Sequence, residues 1–128
     1  MAYISVNPNP NGLRVGDCTV RAISTALDKE WHEVYIGLAL KGLEMGDMPS
    51  SNQVWGQYLK DNGFKRISLP DTCPDCYTIA DFCKDHPHGL YVVGTGNHVA
   101  CISDGSVYDT WDSSGEQALI YWEKEDAE

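Results

Sequence analysis

The stretch Asn97-His-Val-Ala-Cys-Ile-Ser-Asp104-Gly105-Ser-Val-Tyr-Asp109-Thr-Trp111 decides how the second half of the chain folds. Asp104-Gly105 lies between two β-rich runs, and a two-residue hairpin needs positive φ at both turn positions, which Asp and Gly tolerate. With that turn, Ser103 faces Ser106, Ile102 faces Val107, Cys101 faces Tyr108, Ala100 faces Asp109 and His98 faces Trp111. Cross-strand partners share a face, so His98, Ala100, Asp109 and Trp111 point the same way. Asp109 is then diagonal to His98 at roughly 7–8 Å, within side-chain reach. The regular strand sends Asp112 to the other face, which makes it only an alternative orienting residue that needs a bulge near Trp111.

Outward from the hairpin strands Asn97–Ile102 and Ser106–Trp111, Leu90-Tyr-Val-Val93 and Ala118–Trp122 read as further strands, with Asn97–Ile102, Ser106–Trp111 and Ala118–Trp122 forming a meander, and Phe64–Leu69 as a short strand closed by Pro70. Upstream the period changes. Val20, Ile23 and Leu27 recur at helical spacing over Cys18–Leu27, with Asp17 as the expected N-cap. Trp31, Val34, Tyr35, Leu38 and Leu40 mark a second helix over about Lys29–Leu43, ended by Gly42 and Gly46. Ser50 or Ser51 caps a third helix carrying Val54, Trp55, Tyr58 and Leu59, and Gly63 stops it. A short helix follows Thr78 over Ile79–Lys84. Residues 1–16, rich in Asn, Pro and Gly, read as an irregular lead-in, and 123–128 as a solvated acidic tail. The expected fold class is α+β: one domain over 1–128, helices first and then a small antiparallel sheet.

Composition narrows the function. Nineteen Asp and Glu against nine Lys and Arg give a net charge of −10, the wrong sign for a duplex-binding protein, so nucleic acid is not the expected partner. No apolar run approaches the roughly 20 residues of a membrane span, and the N-terminus has neither the basic start nor the apolar stretch of a secretory signal. Five cysteines without an export signal point to reduced thiols and a cytoplasmic location.

Cys18 is set in the first turn of a helix, where unpaired backbone N–H groups and the dipole favour a thiolate. The plain alternative is a small buried hydrophobe. Of His32, His86, His88 and His98, the last is the best base: it follows the Gly94-Thr-Gly96-Asn97 loop, whereas His32 rides an amphipathic helix and His86 and His88 flank Pro87. The alternatives are a polar residue at a strand end for His98 and an exposed strand carboxylate for Asp109. Asn97 and Trp111 are candidate groove residues beside His98.

Gly-Asp-Cys-Thr-Val-Arg-Ala at 16–22, His-Val at 98–99 and Tyr-Asp-Thr-Trp-Asp at 108–112 together resemble the papain-like cysteine peptidase superfamily. The compact style is similar to the peptidase domains of bacteriocin-processing transporters and to small phage-encoded relatives. The resemblance covers the order of elements along nearly the whole chain and rests on about a dozen residues. It implies Cys18 as nucleophile, His98 as base and then acid, and Asp109 as orienting residue, acting on a peptide or protein substrate without a cofactor. It also implies an oxyanion-stabilising Gln about six residues before the cysteine. Here that position is Gly12, which leaves Asn11 as the candidate, with Asn9 and Asn7 behind it. The Gly-Asp-Cys run is similar to transglutaminase-like enzymes too, which use the same triad for transfer or deamidation.

A different class of reading is a non-catalytic binding domain stabilised by zinc on Cys73, Cys76, Cys83 and His86, a thiol-rich spacing headed by a single C-x-x-C. Substrate, host and oligomeric state are not legible in the sequence.

Overall fold

A computed structural model describes residues 2–70 and 72–125. Ten elements run in the order β1 (Ala2–Ser5), α1 (Cys18–Leu27), α2 (Trp31–Met45), α3 (Asn52–Asp61), β2 (Phe64–Ser68), α4 (Ile79–Asp85), β3 (Leu90–Gly94), β4 (Val99–Ser103), β5 (Ser106–Asp109) and β6 (Ile120–Lys124). The six strands form one mixed sheet in the order β1-β5-β4-β3-β6-β2. Four helices and this sheet make the chain an α+β fold, with a larger and less uniform sheet than the antiparallel one expected.

The reason for the continuous apolar runs of β3 and β4 is that both faces of the sheet are covered. Val92, Val99 and Cys101 join Ala22, Ile23, Val34, Leu38, Trp55 and Leu59 from α1, α2 and α3 in one core cluster. Their neighbours Val93, Ala100 and Ile102 join Ile79, Phe82 and Cys83 of α4 in another. Side chains alternate along a strand, so the first three helices lie on one face and α4 on the other.

The hairpin has the expected register, with Cys101 opposite Tyr108, Ile102 opposite Val107 and Ser103 opposite Ser106. Asp104 and Gly105 take φ of 48° and 76°, the left-handed pair of a type I′ turn. The Asp104 carboxylate also accepts the Gly89 N–H at 3.0 Å.

Several expectations are corrected. The lead-in is not wholly irregular: Ala2–Ser5 pairs in parallel with β5, Ser5 lying opposite Asp109. Its side chains are mostly exposed, so it carries almost no hydrophobic pattern to read. β6 does not continue the hairpin as a meander; it lies between β3 and β2, antiparallel to both. It begins at Ile120 rather than Ala118, whose N–H bonds to the Tyr77 carbonyl outside the sheet. Glu123 and Lys124, assigned to the acidic tail, belong to β6, and 126–128 lie outside the described residues.

On α2 only Val34, Leu38 and Gly42 are buried, while Tyr35 and Leu40 of the expected stripe are exposed. Gly42 does not end the helix. A Cβ there would meet the Asp47 carbonyl at 2.7 Å, so glycine lets the following loop fold back. Gly46, at φ 70°, is the left-handed cap.

Candidate functional site

The N-terminus of α1 meets the end of the sheet where β4 begins and β5 stops. Cys18 opens α1, His98 immediately precedes β4, and Asp109 is the last residue of β5. The Thr95 N–H and hydroxyl both reach the His98 carbonyl, at 2.8 and 3.3 Å, and fix the loop that presents the imidazole. Asp109 is held from the far side by β1, since the Val6 N–H donates to its carbonyl at 2.9 Å. The strand missing from the sequence reading thus pins the backbone of the orienting residue.

His98 Nε2 and Asp109 Oδ2 are 2.6 Å apart in a buried pair. That engagement occupies Nε2, and the same imidazole lines one cleft with the Cys18 thiol and favours its ionisation. Burial alone raises the Cys18 thiol, but the hydrogen bonds from His98 and Val99 and the charge of the imidazole outweigh it, so its pKa is lowered. Burial alone depresses His98, yet the bonds to Asp109 and Cys18 carry its pKa up to about 9. Burial alone raises Asp109, yet His98, Ser113 and the Thr110 N–H hold it below the usual carboxylate range. His98 is therefore cationic near neutral pH, and that charge favours ionisation of the Cys18 thiol over that of an ordinary cysteine.

Behind the triad lies a buried charge network that the sequence reading missed. Arg21, one turn into α1, pairs with Asp17 and places Nη2 3.5 Å from Asp109 Oδ1. The Asp17 carboxylate also accepts the Trp31 indole N–H at 3.0 Å and the Asn9 side-chain amide at 3.3 Å. Asp17 accordingly makes no capping bond to α1, against expectation. The first-turn N–H groups of α1, Cys18's included, have no intrahelical acceptor and no side-chain cap. The i,i+4 spacing of Asp17 and Arg21 was the available signal, but a surface ion pair has the same spacing.

The other candidates separate cleanly. Ser113 donates to Asp109 Oδ2 at 2.8 Å from a fully buried position. Asp112 is exposed and accepts the Ser114 N–H at 3.1 Å, so it does not orient His98. The Trp111 ring lies 4.8 Å from the His98 ring. Asn97 lines a cleft of about 510 Å³ that also holds Cys18, Thr19, Asn52, Trp55 and His98. Asn11 is exposed and lies outside that lining. Its backbone N–H is bound to the Asn9 side chain, and Asn9 is itself committed to Asp17. None of Asn7, Asn9 and Asn11 lines this cleft, whereas Asn52 and Asn97 do, and the uncapped α1 amides are further donors.

Among the described residues no group of three or more His, Cys, Asp or Glu could hold a metal ion. Cys73 and Cys76 are exposed with sulfurs 3.4 Å apart. Cys83 is buried on α4, and the His86 ring stacks on Phe82 at 3.9 Å with Nδ1 on the Phe82 carbonyl. Core packing on α4 takes the two residues away from the loop thiols. Among the described residues no helix is long and apolar enough to cross a membrane.

Compared with family models, with curated proteins and with solved structures, the chain matches none.

Proposed function

We propose that this chain is a cysteine hydrolase of the papain-like kind, cleaving a peptide or isopeptide bond through Cys18, His98 and Asp109. The observation that carries this reading is the 2.6 Å His98–Asp109 pair in the cleft that Cys18 also lines, where the imidazole lowers the thiol's pKa. Thiolate, base and orienting carboxylate in that sequence are the requirements for nucleophilic catalysis at an acyl carbon.

The Cys18 sulfur attacks the carbonyl carbon, forming a C–S bond and moving the carbonyl π electrons to oxygen. The Cys18 N–H, at the positive end of α1, stabilises that oxyanion. Collapse breaks the C–N bond, and the His98 imidazolium gives its proton to the leaving amine. His98, now neutral, takes a proton from water as the water oxygen attacks the thioester. The C–S bond breaks, the acid departs, and the thiolate–imidazolium pair is restored. Asp109 holds the ring orientation and stabilises its cationic form throughout.

The test is incubation of the protein with a mixed peptide library, read by mass spectrometry. New chain termini that depend on Cys18 are expected. Conversion of Gln to Glu, or amine transfer to Gln, without cleavage would move the chemistry to deamidation or transfer by the same triad. Products that persist in Cys18→Ala would overturn the reading.

A further inference from the structure

Residues two apart on a strand share a face, so on β2 Arg66 lies on the same side as Phe64. Phe64 is buried there in the core that Trp55 and Leu59 of α3 also enter. Arg66, paired across the sheet with Trp122, is exposed and lines the cleft that holds Cys18 and His98. Its Nη1 donates to the Ser68 hydroxyl at 3.0 Å, and no ion pair among the described residues includes it. Arg21 and Lys41, by contrast, are each paired with two carboxylates.

The chain has 19 acidic residues against 9 basic ones, yet among the described residues lining this cleft there is no Asp or Glu. A neighbouring hollow of about 470 Å³, also lined by Arg66, holds Lys60 and again no Asp or Glu among the described residues. Hydrogen-bond donors are in excess on the same wall. The Asn52 side-chain carbonyl is taken by the Trp55 indole N–H at 3.0 Å, and the buried Trp122 indole N–H has no acceptor among the described residues.

A substrate carboxylate at this wall would meet an unpaired cation and no like charge. The net charge of −10 repels an anion at a distance, but exposed charges are screened beyond about 8 Å at physiological ionic strength, so the guanidinium decides once the peptide is seated. A guanidinium is also the side chain whose paired N–H donors best match a carboxylate. We propose that Arg66 is a specificity-determining residue that selects peptides with a carboxylate close to the scissile bond, either an Asp or Glu side chain or a free C-terminus. The proposal rests on the hydrolase reading and names the substrate class of that same site as acidic peptides.

The test is cleavage of a pool of synthetic peptides made as matched pairs, Glu against Gln and Asp against Asn at each position in turn, with free and amidated C-termini. New termini are counted by mass spectrometry. The parent is expected to favour an acidic residue over its amide counterpart about fivefold at a position within about three residues of the cut, the upper scale of one exposed ion pair. A preference of that size for free over amidated termini would support the proposal with the peptide end as the source of the carboxylate. Arg66→Gln should bring the preference to near one, and Arg66→Lys should retain part of it. Lys65→Gln removes the same charge from the opposite face of β2, where Lys65 lines a different hollow, and should leave the preference unchanged.

Equal cleavage of acidic and amide peptides, or an acid preference that Arg66→Gln leaves intact, would overturn the proposal and keep the hydrolase reading. An equal loss in Lys65→Gln would trace the preference to net charge and overturn the assignment to Arg66. No cleavage by a protein whose Cys18 alkylates rapidly near pH 6 would overturn the acidic substrate class and leave the reactive thiol standing. No cleavage together with a Cys18 that alkylates only as an ordinary thiol would remove the hydrolase reading, and the proposal with it.

Discussion

Cys18 and Cys101 are packed into the same core cluster, and the same carboxylate bears on both with opposite results. Cys101, on β4 three residues beyond His98, is fully buried, and its thiol is pushed up to about 12 by burial and by the negative charge of Asp109. Cys18 is lowered instead, despite burial that acts the same way. The difference is the imidazole: Asp109 holds His98 cationic, and His98 faces Cys18. A carboxylate that opposes ionisation of one thiol directly favours ionisation of the other through an intervening cation.

The largest break in this comparison is Cys18→Ala. Turnover should fall by a factor on the order of 10⁶, as expected when a nucleophile acting within a unit is removed. The same variant exposes the ion pair through stability. His98, raised to about 9, stabilises the fold below its ordinary value and loses that contribution as pH rises toward 9. Cys18, lowered, gains its contribution as pH rises toward the ordinary thiol value, so the two act in opposite directions as pH approaches 9 and cancel in part. In Cys18→Ala the cancellation is gone, and the unfolding free energy should decline as pH approaches 9 relative to the parent. Denaturant titrations at three pH values would show it, and identical slopes would contradict the pairing.

His98→Ala should erase the contrast itself, lowering turnover by roughly 10³-fold and making Cys18 as slow to alkylate at pH 6 as an ordinary thiol. Asp109→Asn keeps the imidazole placed but removes the charge that holds it cationic, and turnover should fall by about 10²-fold, at the lower end of acid–base effects. Asp112→Asn, on an exposed carboxylate, should leave the rate within error. Equal losses in the two Asn variants would mean that the orienting residue is misassigned.

Arg21→Met sharpens the comparison from behind. It leaves Asp17 and Asp109 buried without their shared cation, which should cost about 3 kcal/mol of stability, readable as a lower denaturant midpoint. Because Asp109 loses a positive neighbour and not its contact with His98, the acid limb of the pH–rate profile should shift while the variant remains active at its optimum. A fully inactive but normally stable Arg21→Met would contradict a positioning role.

Much of this site was legible because it depends on local signals. The Asp104-Gly105 turn set the hairpin register, and the register alone brought His98 and Asp109 to one side. The helical period after Gly16 put Cys18 in a first turn. What stayed hidden depends on long-range pairing. β1 has little hydrophobic alternation, and nothing near Tyr3 or Ile4 announces a parallel partner a hundred residues away. Asp17 has the sequence position of a cap, and only the fold brings Arg21, Trp31 and Asn9 to its carboxylate. The C-x-x-C loop shows the opposite failure: Cys83 and His86 have a suitable spacing, but Cys83 packs into the core from α4 and the His86 ring stacks on Phe82.

The most direct measurement is the pH dependence of iodoacetamide labelling, followed separately at Cys18 and Cys101 by mass spectrometry of the folded protein. The account predicts that Cys18 labels rapidly well below the roughly 8.5 of a free thiol, that Cys101 stays unlabelled up to pH 9, and that His98→Ala removes the acid-side reactivity of Cys18. A Cys18 profile that rises only with an ordinary thiol, unchanged by His98→Ala, would contradict it.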